Sequence, residues 1–261
     1  MSVVRIDGHG LEVECIAGAV DAPTLVFLHE GLGSIAQWRE FPHVLAADTG
    51  CAAMLYSRYG YGRSDVLQAP RAPDYLHHEA LVVLPQLLQQ LDIQQPLLVG
   101  HSDGASIALI YAGSEYAAST TGVIAMAPHV FVEPQCAPGI DAARQNFERG
   151  DLAHRLAKYH RDAARTFYGW NDLWASPAFR QWNIEAFLPK IVCPVLTIQG
   201  EDDVYGTMAQ LDAIAAQVSG PCTLLKLPHC GHVPFREQAQ ITQHASAQFV
   251  TQVVASRKVS V

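Results

Sequence analysis

The sequence predicts an α/β fold: a mainly parallel sheet covered by helices on both faces and interrupted once by a helical insertion. Three observations predict it. Short β-type runs alternate with longer segments of helical periodicity, the pattern of strand–helix–strand units. The short runs are almost continuously apolar, as in strands buried on both faces. Over residues 130–190 the alternation stops, and an aromatic-rich stretch without clear strands takes its place.

Taken in order, Val3–Ile6 and Leu11–Ala17 read as an opening pair of strands. Thr24–Leu28 ends in His29-Glu30-Gly31, and Ala52–Tyr56 ends in Ser57-Arg58. Leu97–Gly100 runs straight into His101-Ser102. Gly122–Met126, Val195–Gln199 and Cys222–Leu227 complete the strands. Helices fill the gaps. Asp74–Leu91 places Leu76, Ala80, Val83, Leu84, Leu87, Leu88 and Leu91 at helical spacing, with a kink expected at Pro85. Ala105–Tyr116, Thr207–Val218 and Gln238–Val254 follow. Residues 1–129 and 191–261 are thus the two parts of one core, and 130–190 reads as a helical lid. Three of the four tryptophans, Trp170, Trp174 and Trp182, lie in that stretch. They are candidates either for its small core or for a ligand pocket, since such pockets are rich in aromatic side chains.

Composition narrows the function. The chain has 261 residues, 16% charged, with a net charge of −8. That surface is poorly suited to nucleic acid or to a polybasic membrane contact. No apolar run reaches the roughly 18 residues of a membrane span, and Met1–Gly10 has no signal-like apolar stretch. The six cysteines form no CxxC pair and are expected as reduced, small apolar groups. Together these features lead us to expect a cytoplasmic protein acting on a small molecule, of unspecified oligomeric state.

The chemistry is carried by Gly100-His101-Ser102-Asp103-Gly104, a G-x-S-x-G pattern between an apolar strand and a small-residue helix. Such a turn strains the backbone at the serine and lifts its hydroxyl to the carboxyl end of the sheet, where open α/β sheets bind ligands. A serine hydroxyl needs a base, and the base an orienting acid. In this architecture they follow in the order serine, acid, histidine. Past the strand Val195–Gln199 come Gly200-Glu201-Asp202-Asp203, and past Cys222–Leu227 come Pro228-His229-Cys230-Gly231-His232. Asp203 is preferred over Asp202 and Glu201 because G-x-x-D is the usual spacing of this loop. His232 is preferred over His229 because Gly231-His232 precedes a helical segment carrying Glu237. The tetrahedral oxyanion needs two backbone donors. Asp103 N–H is one candidate, and Gly31 N–H, in the glycine-bearing loop His29–Ser34, is the other.

These motifs resemble the α/β-hydrolase superfamily, in the lidded branch of small esterases, enol-lactonases and carbon–carbon bond hydrolases. The resemblance covers nearly the whole chain: the H-x-G-x-G-S loop with Trp38, Ser57-Arg58-Tyr59-Gly60-Tyr61-Gly62-Arg63-Ser64, GHSDG, G-x-x-D and GH. It implies about eight mostly parallel strands and no metal or organic cofactor. Three positions depart from the family pattern. Glu30 stands where His-Gly is usual; its carboxylate is expected to turn aside and pair with Arg58 or Arg63, and would disfavour anionic acyl groups if it faced the pocket. Asp103 stands where Met or Gln is common, so its charge must be paired or solvated. Val233 follows His232 where meta-cleavage carbon–carbon hydrolases carry Trp. The expectation is therefore a serine hydrolase of a small ester, thioester or lactone. The alternatives are carbon–carbon hydrolysis, perhydrolysis or acyl transfer on the same triad, and a non-catalytic binder on the same fold.

Overall fold

The computed structural model describes the backbone of residues 2–258. Eight strands form one sheet in the order β1-β2-β4-β3-β5-β6-β7-β8. They are β1 (Ser2–Ile6), β2 (His9–Ile16), β3 (Thr24–Leu28), β4 (Ala53–Ser57), β5 (Pro96–His101), β6 (Gly122–Met126), β7 (Val195–Gly200) and β8 (Cys222–Leu227). β2 pairs antiparallel with both β1 and β4, and every later pairing is parallel. The helices are α1 (Phe41–Thr49), α2 (Tyr75–His78), α3 (Leu84–Gln90), α4 (Asp103–Ala112), α5 (Cys136–Arg149), α6 (Leu152–Ala157), α7 (Ala163–Ala175), α8 (Ala209–Gln217), α9 (Pro234–Glu237) and α10 (Ala239–Lys258).

The continuous apolar strands serve two cores, because successive side chains leave opposite faces of a strand. Leu25, Phe27, Leu97, Val99, Ile124 and Met126 join the core under α1 and α10. Val26, Leu28, Leu98, Val123 and Ala125 join the core under α4 and the helices on the other face. The inserted segment between β6 and β7 holds α5, α6 and α7. A single bridge between Phe131 and Asn183 closes its base.

The helix expected over Asp74–Leu91 is not a simple kinked rod. α2 passes into a π-helical turn at Glu79–Val83 before α3 resumes. Pro85 has no N–H to offer the carbonyl one turn back, and the ladder widens just ahead of it. The helix expected over Gln238–Val254 is α10, which runs on to Lys258, and a separate short α9 precedes it. Among the described residues no helix is long and apolar enough to cross a membrane.

α4 lies hard against β3. A Cβ on Gly104 would stand 1.8 Å from the Leu28 carbonyl oxygen, and one on Gly100 would stand 2.3 Å from the Gly104 carbonyl oxygen. Both obstacles are backbone, which cannot swing aside. Gly104→Ala is therefore expected to cost about 1–3 kcal/mol or more, read as a fall in Tm of roughly 2–4 °C per kcal/mol for a domain of this size. An unchanged Tm would refute this tight helix–strand approach.

Candidate functional site

The parallel strands end at one edge of the sheet, and the loops that leave them there converge. β5 delivers Ser102, the residue just before α4, with φ 54° and ψ −118°. This left-handed φ is costly for any residue but glycine. It is held by the Ser102 N–H donating to Met126 O at 2.9 Å and by the two glycines that let the turn close.

The sequence-expected partners arrive beside it. His232 Nε2 lies 3.0 Å from Ser102 Oγ, and His232 Nδ1 lies 2.8 Å from Asp203 Oδ2. An ionised carboxylate only accepts, so Nδ1 carries the proton and Nε2 is left to accept from the serine. Asp203 also accepts from Gln199 Nε2 at 2.8 Å and from the Tyr205 N–H at 2.9 Å. Burial alone would raise its pKa, but the charge and hydrogen bond of His232 and the Tyr205 N–H bring it below the ordinary value. For His232 burial works the other way; the Asp203 carboxylate, helped by Glu30 and Asp103, overcomes it and raises the imidazole above its ordinary value. The competitors stay outside: Glu201, Asp202 and His229 are exposed. The loop is locked on both sides of the histidine. Glu237 accepts the N–H of Gly231 at 2.7 Å and of Val233 at 2.9 Å. His101 Nε2–H donates to the His232 carbonyl at 2.7 Å.

Arg58, at the end of β4, is 1% exposed and ties the other loops together. Its Nη2 donates to the carbonyls of His29 at 3.3 Å and Glu30 at 2.8 Å, and to Asp103 Oδ2 at 3.2 Å. His29 bridges the same elements: Nδ1–H donates to Glu30 O at 2.7 Å, and Nε2 accepts the Arg58 N–H at 3.0 Å. Those two bonds fix one neutral tautomer, and burial foremost pushes the His29 pKa well down. The Asp103 charge is thus paired, as its position requires. Asp103 Oδ2 also accepts from Tyr75 Oη at 2.6 Å, and Tyr75 Oη in turn accepts from Trp174 Nε1 at 3.1 Å. One buried chain runs from the inserted helix α7 to the first residue of α4.

Ser102 and His232 face a cavity of about 50 Å3. Glu30, Gly31 and Tyr205 line it from the core, and Ile140, Trp170 and Trp174 from the insertion. Ile140 and Trp174 also line a wider cleft of about 490 Å3 on their other side. Two expectations need correction. Trp182 does not reach the cavity: it stacks on Phe179 at 5.4 Å and meets Trp174 and His77, so it belongs to the insertion's packing. Glu30 does not pair with Arg58 or Arg63. Arg58 takes its backbone carbonyl instead, and the carboxylate faces the cavity. His129 was missed. It lies just past β6, lines the cavity, and its ring centroid is 6.1 Å from that of His232. Burial first, then the neighbouring imidazole, lowers its pKa to about 4, so it is neutral. Ala-Pro-His at a strand's carboxyl end was the available signal.

A family model described as "Alpha/beta hydrolase family" matches residues 25–242. No curated protein sequence matches the chain. Among solved structures, an enol-lactonase from Burkholderia xenovorans LB400 has a TM-score of 0.75 at 18% identity, over 96% of this chain and 100% of that one. A proline iminopeptidase from Mycobacterium smegmatis gives 0.70 at 18%, over 98% and 99%. An esterase from Exiguobacterium antarcticum gives 0.74 at 17%, over 95% and 98%. At these identities the likeness is one of fold.

The Arg58–Asp103 pair makes a stability prediction independent of function. Arg58→Met strands a buried carboxylate and is expected to cost about 3–5 kcal/mol. The double variant Arg58→Met/Asp103→Leu removes both charges and should recover part of that loss in denaturant unfolding. A double variant losing the sum of the two single losses would show that the charges are not coupled.

Proposed function

The chain belongs to the alpha/beta hydrolase family, and on that premise we propose that it is a serine hydrolase. It cleaves a small carboxylic ester, thioester or lactone through an acyl-enzyme on Ser102. One observation carries the reading: the relay from Ser102 Oγ to His232 Nε2 at 3.0 Å and from His232 Nδ1 to Asp203 at 2.8 Å. An esterase and an enol-lactonase among the fold neighbours support the same class of substrate.

Ser102 Oγ attacks the carbonyl carbon while His232 Nε2 takes the hydroxyl proton. The intermediate collapses, the acyl–oxygen or acyl–sulfur bond breaks, and His232 returns the proton to the leaving atom. In a lactone the leaving oxygen stays tethered to the acyl group. Water then gives a proton to His232 and its oxygen to the acyl carbon, and Ser102 is restored. Asp203 keeps the imidazole in the required tautomer throughout.

The oxyanion is held by the N–H groups of Gly31 and Asp103. Asp103 is the first residue of α4, so its N–H has no intrahelical acceptor. The Gly31 donor is aimed by its own peptide unit. The bond between Glu30 and Gly31 is trans, so C=O and N–H point opposite ways. Arg58 and His29 hold that carbonyl, which turns the N–H away from them and toward the cavity. A missing donor of this kind typically costs roughly 3–4 kcal/mol of transition-state stabilisation.

Residues 130–190 act as the lid. The cavity of about 50 Å3 is far below the several hundred Å3 of most ligand sites, so Ile140 and Trp174 part to join it to the outer cleft. Trp170 and Trp174 contact the substrate.

A fluorophosphonate probe should label the wild type and leave Ser102→Ala unlabelled; equal labelling would remove the assignment. A panel of acyl esters, thioesters and lactones then ranks the substrates. The pH profile has a fixed sign. The base works only when neutral, and its pKa lies above the ordinary 6.5. The rate of kcat/KM should therefore rise with pH, with a midpoint above 6.5; a midpoint below it would contradict the His232 environment described.

A further inference from the structure

The cavity walls carry one charge that the hydrolytic mechanism leaves unused. Glu30 lines the cavity, and a carboxylate oxygen lies within 4.8 Å of ring nitrogens of both His101 and His232. Among the described residues its carboxylate makes no hydrogen bond or ion pair. Neither nearby guanidinium bonds to it: the hydrogen bonds of Arg58 go to backbone carbonyls and Asp103, and that of Arg236 to the Gln37 carbonyl.

The other acids of the site are engaged. Asp203 is bonded to His232, and Asp103 to Arg58. His129 and His101 are uncharged. Among the described residues, Glu30 is therefore the acid on the cavity wall whose carboxylate has no bonded partner. Around it stand the rings of Trp170, Trp174 and Tyr205. A carboxylate among aromatic rings, in a space with little room for water, is the chemistry that recognises an organic cation. A metal ion at this cluster would need a ring nitrogen of His232, and both are engaged by Asp203 and Ser102.

We propose that Glu30 is the counter-ion of an ammonium group on the leaving-group side of the substrate. This rests on the hydrolase reading above. The side follows from geometry: His232 hands its proton to the leaving atom, and Glu30 lies beside His232. The substrate class is an ester or thioester of an amino alcohol, amino thiol or quaternary ammonium alcohol. An anionic leaving group would meet like charge.

The test uses the full chain and two readouts. In the first, fluorophosphonate labelling of Ser102 is timed with tetramethylammonium chloride or with sodium chloride at equal ionic strength. Tetramethylammonium should slow labelling of the wild type at least fivefold and should leave the labelling rate of Glu30→Gln nearly unaffected. In the second, 2-(trimethylammonio)ethyl acetate is compared with 3,3-dimethylbutyl acetate, which has the same shape without the charge. The charged-to-neutral ratio of kcat/KM should be tenfold or more in the wild type and fall toward one in Glu30→Gln. Because Glu30 also acts on His232, the ratio is the readout rather than either rate. Labelling that tetramethylammonium does not slow, or slows equally in both proteins, overturns the cation site and leaves the hydrolase reading standing. Absent Ser102-dependent labelling overturns the hydrolase reading itself.

Discussion

A guanidinium buried at the centre of a protein needs compensation, and Arg58 draws it from three separate parts of the chain, its hydrogen bonds all leaving from Nη2. The carbonyls of His29 and Glu30, the carboxylate of Asp103 and the ring face of Tyr61, 4.6 Å away, all answer its charge. Remove any one and the others are left with an unbalanced charge or an unmet acceptor. This mutual dependence sets the geometry of the site. The loop after β3 and the turn after β5 are held at a fixed separation by a side chain rather than by backbone pairing. Tyr75 and Trp174 extend the same chain of hydrogen bonds to α7. The position of the inserted helix and the position of the serine turn are set together.

Much of this was legible in the sequence where the information is local. Apolar runs without alternation gave the sheet and its two cores, and small residues around Ser102 gave the turn. Asp203 and His232 were legible as candidates because each lies in the short loop past a strand's carboxyl end. Trp170 and Trp174 share with Trp182 the same composition, but helix α7 presents the first two to the cavity while Trp182 lies on Phe179. Composition cannot separate them; the direction of each side chain does.

The partnerships of Arg58, Tyr75 and Trp174 were not legible, because they join residues 28 to 99 positions apart. Glu30 shows the same limit. Its carboxylate was expected to turn aside and pair with an arginine such as Arg58 or Arg63. Arg58 instead satisfies the carbonyl of the same residue. Asp103, by contrast, needed a partner from the moment its position became known, and it has one.

The order of the strands along the chain has a consequence for the protein's history as well as its chemistry. Ser102 sits at the middle of the sheet, with β5 between β3 and β6, but its partners follow β7 and β8, the last two strands. A nascent chain emerging from the ribosome, folding from its first residues onward, carries through most of its synthesis a serine no more reactive than any other. On the proposed reading, the hydroxyl acquires its base only when β8 docks and brings His232 to it. A chain cut short anywhere before that point can hold most of the sheet and still be chemically inert. On the same reading, the layout keeps an acyl-reactive group from existing in a half-made protein.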